Sequence, residues 1–333
     1  MQKTISIIIA IFNRKDELFE LLNSLIAQTD KNFEVIIVDD GSSVDLLPTV
    51  ETFKEMLEIQ YFKKENSGPG LSRNYGARRA KNDWLVFVDS DVIVEKDYIE
   101  NIKKNLEKTD CAAFGGADKA HKGFNILQKA ISYSMTSVFT TGGIRGSKKA
   151  VTRFQPRSFN MGVNKEIFLK IGGFSEMRIG EDPDLSMTIW ENGYQTAFFD
   201  NIGVYHKRRT DLGKFSKQVY QFGCARPILN QRHPNYVKPT FWFPTLFLLG
   251  YVAGILEYFL LHKGFVLACY GIYTFVIFFH ALLLTKNLAI AAQAIITTYI
   301  QMFSYGYGFL ESWVKLNILR MKPEEAFPKH FHK

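Results

Sequence analysis

Apolar residues fill Ile5–Ile11 almost without a break, and beyond a short polar stretch Leu18, Leu21, Leu22, Leu25 and Ile26 recur at the i, i+3, i+4 spacing of a helix. The first pattern predicts a buried strand and the second an amphipathic helix, with Asn13 and Asp16 framing the helix start. Apolar runs return at 33–38, 58–62 and Trp84–Val88, and Ser67-Gly68-Pro69-Gly70 is a turn that opens a helix through Ala80. Strands alternating with helices at this spacing predict an α/β fold with a doubly wound, mostly parallel sheet.

The pattern changes near residue 238. Three long apolar stretches follow, 241–261, 265–284 and 288–310, each about the length that spans a bilayer. The first contains one carboxylate, Glu257, and the second one titratable group, His280. The third is softer, with Gln293, Thr297, Thr298 and Gln301, and reads as a span, a bundle helix or an interfacial helix; three membrane-embedded helices are the expectation. The chain therefore divides into a soluble α/β domain over 1–236 and an α-helical membrane region over 237–333.

Charge sharpens that division. Of the net +8, a concentrated part lies just ahead of the first apolar stretch: Lys207, Arg208, Arg209, Lys214, Lys217, Arg226, Arg232 and Lys238 stand against Asp211 alone between Asn201 and Thr240. A basic segment abutting a hydrophobic one fits anionic headgroups and the positive-inside rule better than nucleic acid. The region 117–157 is less regular and carries Lys119, Lys122, Lys129, Arg145, Lys148, Lys149, Arg153 and Arg157, with Gly142, Gly143 and Gly146. It reads either as a loop that closes over an anion or as a solvated one. Cys111, Cys224 and Cys269 are too scattered for a disulfide framework or a zinc site. Met1-Gln2-Lys3 leads into the first strand without the pattern of a signal peptide, so the α/β domain is expected in the cytosol.

Candidate chemistry gathers at strand ends. The run 33–38 delivers Asp39-Asp40-Gly41-Ser42, and Trp84–Val88 delivers Asp89-Ser90-Asp91. Ligands of open α/β sheets bind at such ends, and aspartates one residue apart can grip a divalent cation through oxygen. The alternative reading is that both clusters are acidic turns capping the next helix. Gly180-Glu181-Asp182-Pro183 carries a similar ambiguity: Asp182 is either an N-cap, with Pro183 in the first helical position, or a capping residue that is also catalytic. The absence of G-x-G-x-x-G after the first strand argues against a dinucleotide fold.

In order along the chain stand Ser6-Ile7-Ile8-Ile9, Phe12-Asn13, Asp39-Asp40-Gly41-Ser42, Asn66 with Gly68, Arg73-Asn74, Asp89-Ser90-Asp91, Gly172-Gly173-Phe174 and Gly180-Glu181-Asp182. This set resembles the family 2 glycosyltransferases, which have the GT-A fold, over about residues 4 to 236. The resemblance implies inverting transfer of a sugar from a nucleotide-diphosphate donor, usually UDP-linked, with Mn²⁺ or Mg²⁺. It implies that Phe12 packs on the base, that Asp40 with Asp39 reads base or ribose, and that Ala10, Asn13, Arg73 and Ser90 complete the nucleotide site. Ala10 departs from the Pro or Thr of many members. Asp89 and Asp91 take the place of the D-x-D pair, Asp182, with Glu181 beside it, that of the general base, and His206 that of a histidine some members place near the metal. The Q-x-x-R-W signature of processive synthases is missing, since Gln221 and Arg226 stand at a longer spacing without Trp, which favours addition of single sugars.

The expectation is thus a multi-pass protein of a bacterial cell membrane, with a cytoplasmic catalytic domain. It would transfer a sugar to a hydroxyl of a lipid-linked glycan, in surface polysaccharide assembly. The alternatives are a polyprenyl-phosphate glycosyltransferase and a non-catalytic nucleotide-sugar-binding membrane protein.

Overall fold

The computed structural model describes residues 3–119, 124–141, 154–206 and 211–331. The chain forms two compact units, one of Met1–His121, Lys148–Lys207 and Lys329–Lys333, the other of Lys122–Ser147 and Arg208–Pro328.

The first unit is built on eight strands: β1 (Ile5–Ile11), β2 (Phe33–Asp39), β3 (Glu58–Lys63), β4 (Trp84–Val88), β5 (Val92–Val94), β6 (Ala113–Lys119), β7 (Asn160–Asn164) and β8 (Thr196–His206). They form one sheet in the order β3-β2-β1-β4-β7-β6-β8-β5. The strands read from the apolar runs, β1 to β4, pair in parallel. Beyond β4 the sheet is mixed: β7 is antiparallel to β4 and β6, β5 is antiparallel to β8, and β6 and β8 are parallel. Pattern alone hides β7, because Asn160 and Asn164 stand at its ends. Asn160 is nonetheless fully satisfied inside, accepting from the Tyr98 hydroxyl at 2.7 Å and donating to the Ile202 carbonyl at 2.8 Å.

Helices α1 (Lys15–Ile26), α2 (Leu47–Phe53), α3 (Pro69–Arg79) and α4 (Tyr98–Lys108) connect the strands. After α5 (Ile126–Thr136) and α6 (Val138–Thr141), which fall in the second unit, come α7 (Lys165–Lys170) and α8 (Glu181–Glu191). Leu18, Leu21, Leu22 and Leu25 of α1 join Ile5, Ile7, Ile9, Val35, Ile37 and Val86 in one continuous core, as their periodicity requires. The start of α1 differs from expectation. Asn13 does not cap it; at φ 55° its side-chain oxygen accepts instead from the Ser43 amide at 2.8 Å. α3 lacks an apolar stripe and turns small residues inward, burying Gly70, Ser72, Gly76 and Ala77.

The second unit holds α5, α6, α9 (Leu212–Arg232), α10 (Phe243–Leu261), α11 (Phe265–Thr285) and α12 (Leu288–Trp313). Three of its helices are long and apolar enough to cross a membrane, over Pro239–Leu261, Phe265–Thr285 and Leu288–Ile318, with mean hydropathies of 1.6, 2.0 and 1.2. Part of the basic segment is α9, and part of the irregular middle is α5 and α6. Helix is the correction there: α5 is fixed by a capping box between Asn125 and Gln128. The closing-loop expectation rests on Lys122, Gly142, Gly143, Arg145, Gly146, Lys148, Lys149 and Arg153, which lie outside the described residues, as do Lys207, Arg208 and Arg209.

Candidate active site

Because β1, β2 and β4 are parallel, their C-terminal ends emerge together. The register pairs Ile11 with Asp39, which sets Phe12 and Asn13 beside Asp40. Phe12 is 48% exposed, an apolar ring held out at a strand end where a planar ligand can stack. Asn13 ties this corner to the next loop, its amide donating to the Ser42 hydroxyl at 2.9 Å. Ala10 lies in β1 opposite Val38.

Asp39 and Asp40 are buried and fully engaged within the chain. Asp39 accepts from the Ser42 amide and the Tyr61 hydroxyl, both at 2.8 Å. Asp40 accepts from the amides of Ser67 and Gly68 at 2.9 and 2.7 Å, from the Ser72 hydroxyl at 2.8 Å and from the Lys64 ammonium at 2.6 Å. Its charge thus sits at the N-terminus of α3, where the helix has no capping side chain of its own. Both carboxylates are therefore occupied by bonds within the chain.

The centre of charge is Arg73, 4% exposed on α3. Its guanidinium donates to Asp89 at 2.7 Å and to Glu181 at 3.2 Å and lies 5.4 Å from the centre of the Phe174 ring. Burial alone would discourage its charge, but Asp89, Glu181 and Asp182 outweigh that and raise its proton affinity further. Glu181 is pushed up to about 8, by burial first and then by the Asp182 carboxylate, against the pull of Arg73. At neutral pH Glu181 keeps its proton. Asp91 is held separately, accepting from Arg14 at 3.1 Å, and Ser90 between the two aspartates is buried.

Asp182 differs from expectation. α8 begins at Glu181, and its N-cap is Gly180 at φ 92°, a left-handed conformation that glycine adopts without strain. Asp182 therefore stands inside the first turn, makes no capping bond, and leaves its Oδ1 buried without a partner. A buried, unpaired carboxylate oxygen is costly and calls for a proton donor or a cation.

A loop carrying Phe174 is locked onto α3 by Asn74. Its side chain donates to the Phe174 carbonyl at 2.7 Å and accepts from the Phe174 amide at 2.9 Å. A Cβ on Gly173, which has φ +74°, would fall 2.5 Å from the Asn74 oxygen, so only glycine fits. Arg14, Lys64, Ser72 and the clamp role of Asn74 escaped the sequence reading. The available signal was position: Arg14 follows Phe12-Asn13, and Ser72 and Asn74 flank Arg73.

Among the described residues no three His, Cys, Asp or Glu side chains form a ready cage for a metal. A hard cation that takes one or two protein carboxylates and completes its shell with substrate phosphates needs no such cage. The donors suit it: Asp89 and Asp91 supply oxygen, their present counter-charges are the guanidiniums of Arg73 and Arg14, and Asp182 adds an unpartnered oxygen nearby. His206 pairs through its backbone with Val92, the residue after Asp91; its side chain lies outside the described residues.

Residues 6–171 match the family model of glycosyl transferase family 2. An uncharacterized glycosyltransferase of Haemophilus influenzae is 32% identical over 220 residues, which cover 62% of this chain and 70% of that protein. The chain belongs to glycosyl transferase family 2. An uncharacterized glycosyltransferase of Rickettsia felis is 39% identical over 106 residues, 32% of this chain, and the match spans only 18% of that longer relative. Among solved structures, the mannosyltransferase PcManGT of Pyrobaculum calidifontis superposes with a TM-score of 0.56 at 17% identity, covering 96% of this chain and 88% of that one. S. aureus TarS 1-349 superposes with a TM-score of 0.51 at 17% identity, with 90% of each chain covered. The family 2 chain thus has the GT-A fold expected of it, and its matched segment ends just before Gly172-Gly173-Phe174, so Glu181 and Asp182 lie beyond it.

Proposed function

We propose that this chain is an inverting, metal-dependent glycosyltransferase. It moves a sugar from a nucleotide-diphosphate donor, UDP-linked, to a hydroxyl of a lipid-linked glycan at the cytoplasmic face of a bacterial cell membrane, during surface polysaccharide assembly. The observation that carries the reading is Asp182: an unpartnered carboxylate oxygen beside a charged cluster at the C-terminal edge of the sheet. The same fold holds GDP-Man and Mn²⁺ in the Pyrobaculum enzyme and UDP in TarS 1-349, which supports a nucleotide-sugar site here.

Roles follow from environment. Glu181 keeps its proton at neutral pH and cannot serve as the base, so the duty falls to its neighbour Asp182. Asp182 takes the acceptor hydroxyl's proton as that oxygen attacks the anomeric carbon from the face opposite the leaving diphosphate. Arg73 holds the cluster rigid and positions its carboxylates, and Phe12 offers a surface for the base. Asp89 and Asp91 would hold the divalent cation, with His206 as a further candidate. Bound there, the ion would neutralise charge on the departing diphosphate. The apolar helices of the second unit would keep the site beside a membrane-borne acceptor.

The test is a donor screen on membranes containing the protein, reading released nucleoside diphosphate with Mn²⁺, with Mg²⁺ and with EDTA. Release from one donor, abolished by EDTA and by Asp91→Ala, is expected. Turnover that survives both treatments removes the metal from the mechanism, and no turnover with any donor removes the enzyme.

A further inference from the structure

Three consecutive helices joined by tight turns, if all cross a bilayer, must end on the side opposite to where they began. The second unit contradicts that arrangement. α10 and α11 form an antiparallel hairpin: at its closed end Gly254 faces Val266 and Leu267, and towards its open end the Tyr270 hydroxyl donates to the Phe247 carbonyl at 2.6 Å and Phe247 packs on Tyr273. α12 leaves the open end by the turn at Lys286-Asn287, with Ala291 and Ala294 against Ile277 and Ala281. It runs only part-way back along α11, from Ala281 and Ile277 to Thr274 and Tyr270. Its middle contacts the hairpin through Tyr299, whose hydroxyl meets that of Thr274 at 2.7 Å. Its far end returns to the beginning of α10: the Thr245 hydroxyl donates to the Gly306 carbonyl at 3.0 Å, and Trp313 packs on Trp242 with ring centres 5.3 Å apart. Both ends of α12 therefore lie at the open end of the hairpin.

A separate observation agrees. The residues after α12 rejoin the first unit, where the Arg178 amide donates to the His330 carbonyl at 2.7 Å and Met177 bridges to Phe331. A chain that leaves the first unit and returns to it on the same side of a membrane crosses an even number of times. α12 is also the least apolar and the most covered of the three helices. Part of its cover comes from helices not of membrane-spanning character: Thr297 donates to the Ala130 carbonyl of α5 at 3.1 Å, and Tyr220 of the basic α9 donates to Glu311 at 2.6 Å.

We infer that α10 and α11 alone cross the bilayer, as a hairpin, and that α12 lies in the interface across its mouth, on the side of the catalytic unit. The inference rests on the membrane reading above and adds the topology. It removes a conflict of charge. With three crossings, Lys315, Arg320 and Lys322 would emerge opposite the basic segment before α10. With two, they join Lys286 on the same side, and Lys263 at the hairpin tip is alone on the other. Trp242 and Trp313 then occupy the headgroup level, where indole rings are favoured.

Single cysteines placed at Lys108, Lys263, Lys286 and Lys322 in the full chain, with Cys111, Cys224 and Cys269 changed to Ser, test this with a membrane-impermeant maleimide on sealed vesicles of known orientation. Labelling of positions 108, 286 and 322 from one face and of 263 from the other is expected. Labelling of 322 from the same face as 263 overturns the inference in favour of three crossings. Labelling of 263 from the same face as 108 overturns it in favour of a hairpin that does not cross. A carbonate wash of the same vesicles isolates the premise: release of the protein into the supernatant defeats the membrane reading itself. Should the cysteine-free chain misfold, a protease site appended after Lys333 in the wild-type sequence reports the same sidedness: cleavage by protease on the catalytic face, with protection from protease on the opposite face, is expected, and the reverse overturns the inference.

Discussion

Asn74→Ala tests whether the clamp on Phe174 holds the candidate site together. The change removes two hydrogen bonds, at 2.7 and 2.9 Å, to one buried backbone amide and one buried carbonyl. Each group left unpaired in the interior costs about 1–3 kcal/mol, so the pair predicts a loss of about 2–6 kcal/mol, nearer the lower figure where water enters the gap. For a unit of this size that corresponds to a fall in melting temperature of roughly 4–20 °C. Phe174 also lies against the Arg73 guanidinium, so the loosened loop should disturb the contacts of Arg73 with Asp89 and Glu181. Thermal unfolding by intrinsic fluorescence in detergent gives the first number, and donor turnover at a temperature well below both transitions gives the second. Asn74→Asp keeps the acceptor for the Phe174 amide but sets an oxygen against the Phe174 carbonyl, so it should restore little. A melting temperature within roughly 2 °C of wild type for Asn74→Ala would refute the clamp.

Two further outcomes test the division of labour at α8. Asp182→Asn keeps size and polarity, so donor binding should survive while transfer falls by roughly 10²–10⁴-fold, the range typical of a lost general base; undiminished transfer would reassign the base. Glu181 stays protonated in the folded chain up to about pH 8, whereas an unfolded glutamate loses its proton near 4.5. Across that window the folded state binds the extra proton, so stability falls as pH rises from about 5 to about 8 and levels off above it. Glu181→Gln removes the titration and retains an acceptor for Arg73. In metal-free buffer its melting temperature relative to wild type should climb through the same window, by an amount on the order of a few kcal/mol in stability. A difference that is flat with pH would show that Glu181 ionises normally.

Local periodicity by itself determined β1 to β4, the amphipathic α1, the turn into α3 and the three apolar helices, because each pattern reports its own burial or length. It also put Asp39, Asp40, Asp89 and Asp91 at strand ends, since a strand's end is visible where its apolar run stops. The tertiary structure alone decided the rest. β7 became a sheet strand despite its asparagines because Tyr98 and Ile202 satisfy Asn160 from 62 and 42 residues away. Asp182 lost the capping role its neighbours suggested once Gly180 took a left-handed turn and started the helix at Glu181. Arg73 reached Glu181 across 108 residues and joined it to Asp89, and Asn74 reached Phe174 across 100. No window of sequence contains such pairs. Which carboxylate keeps a proton, and which oxygen is left free for chemistry, are properties of charges brought together by folding, and they become readable only where the chain has closed on itself.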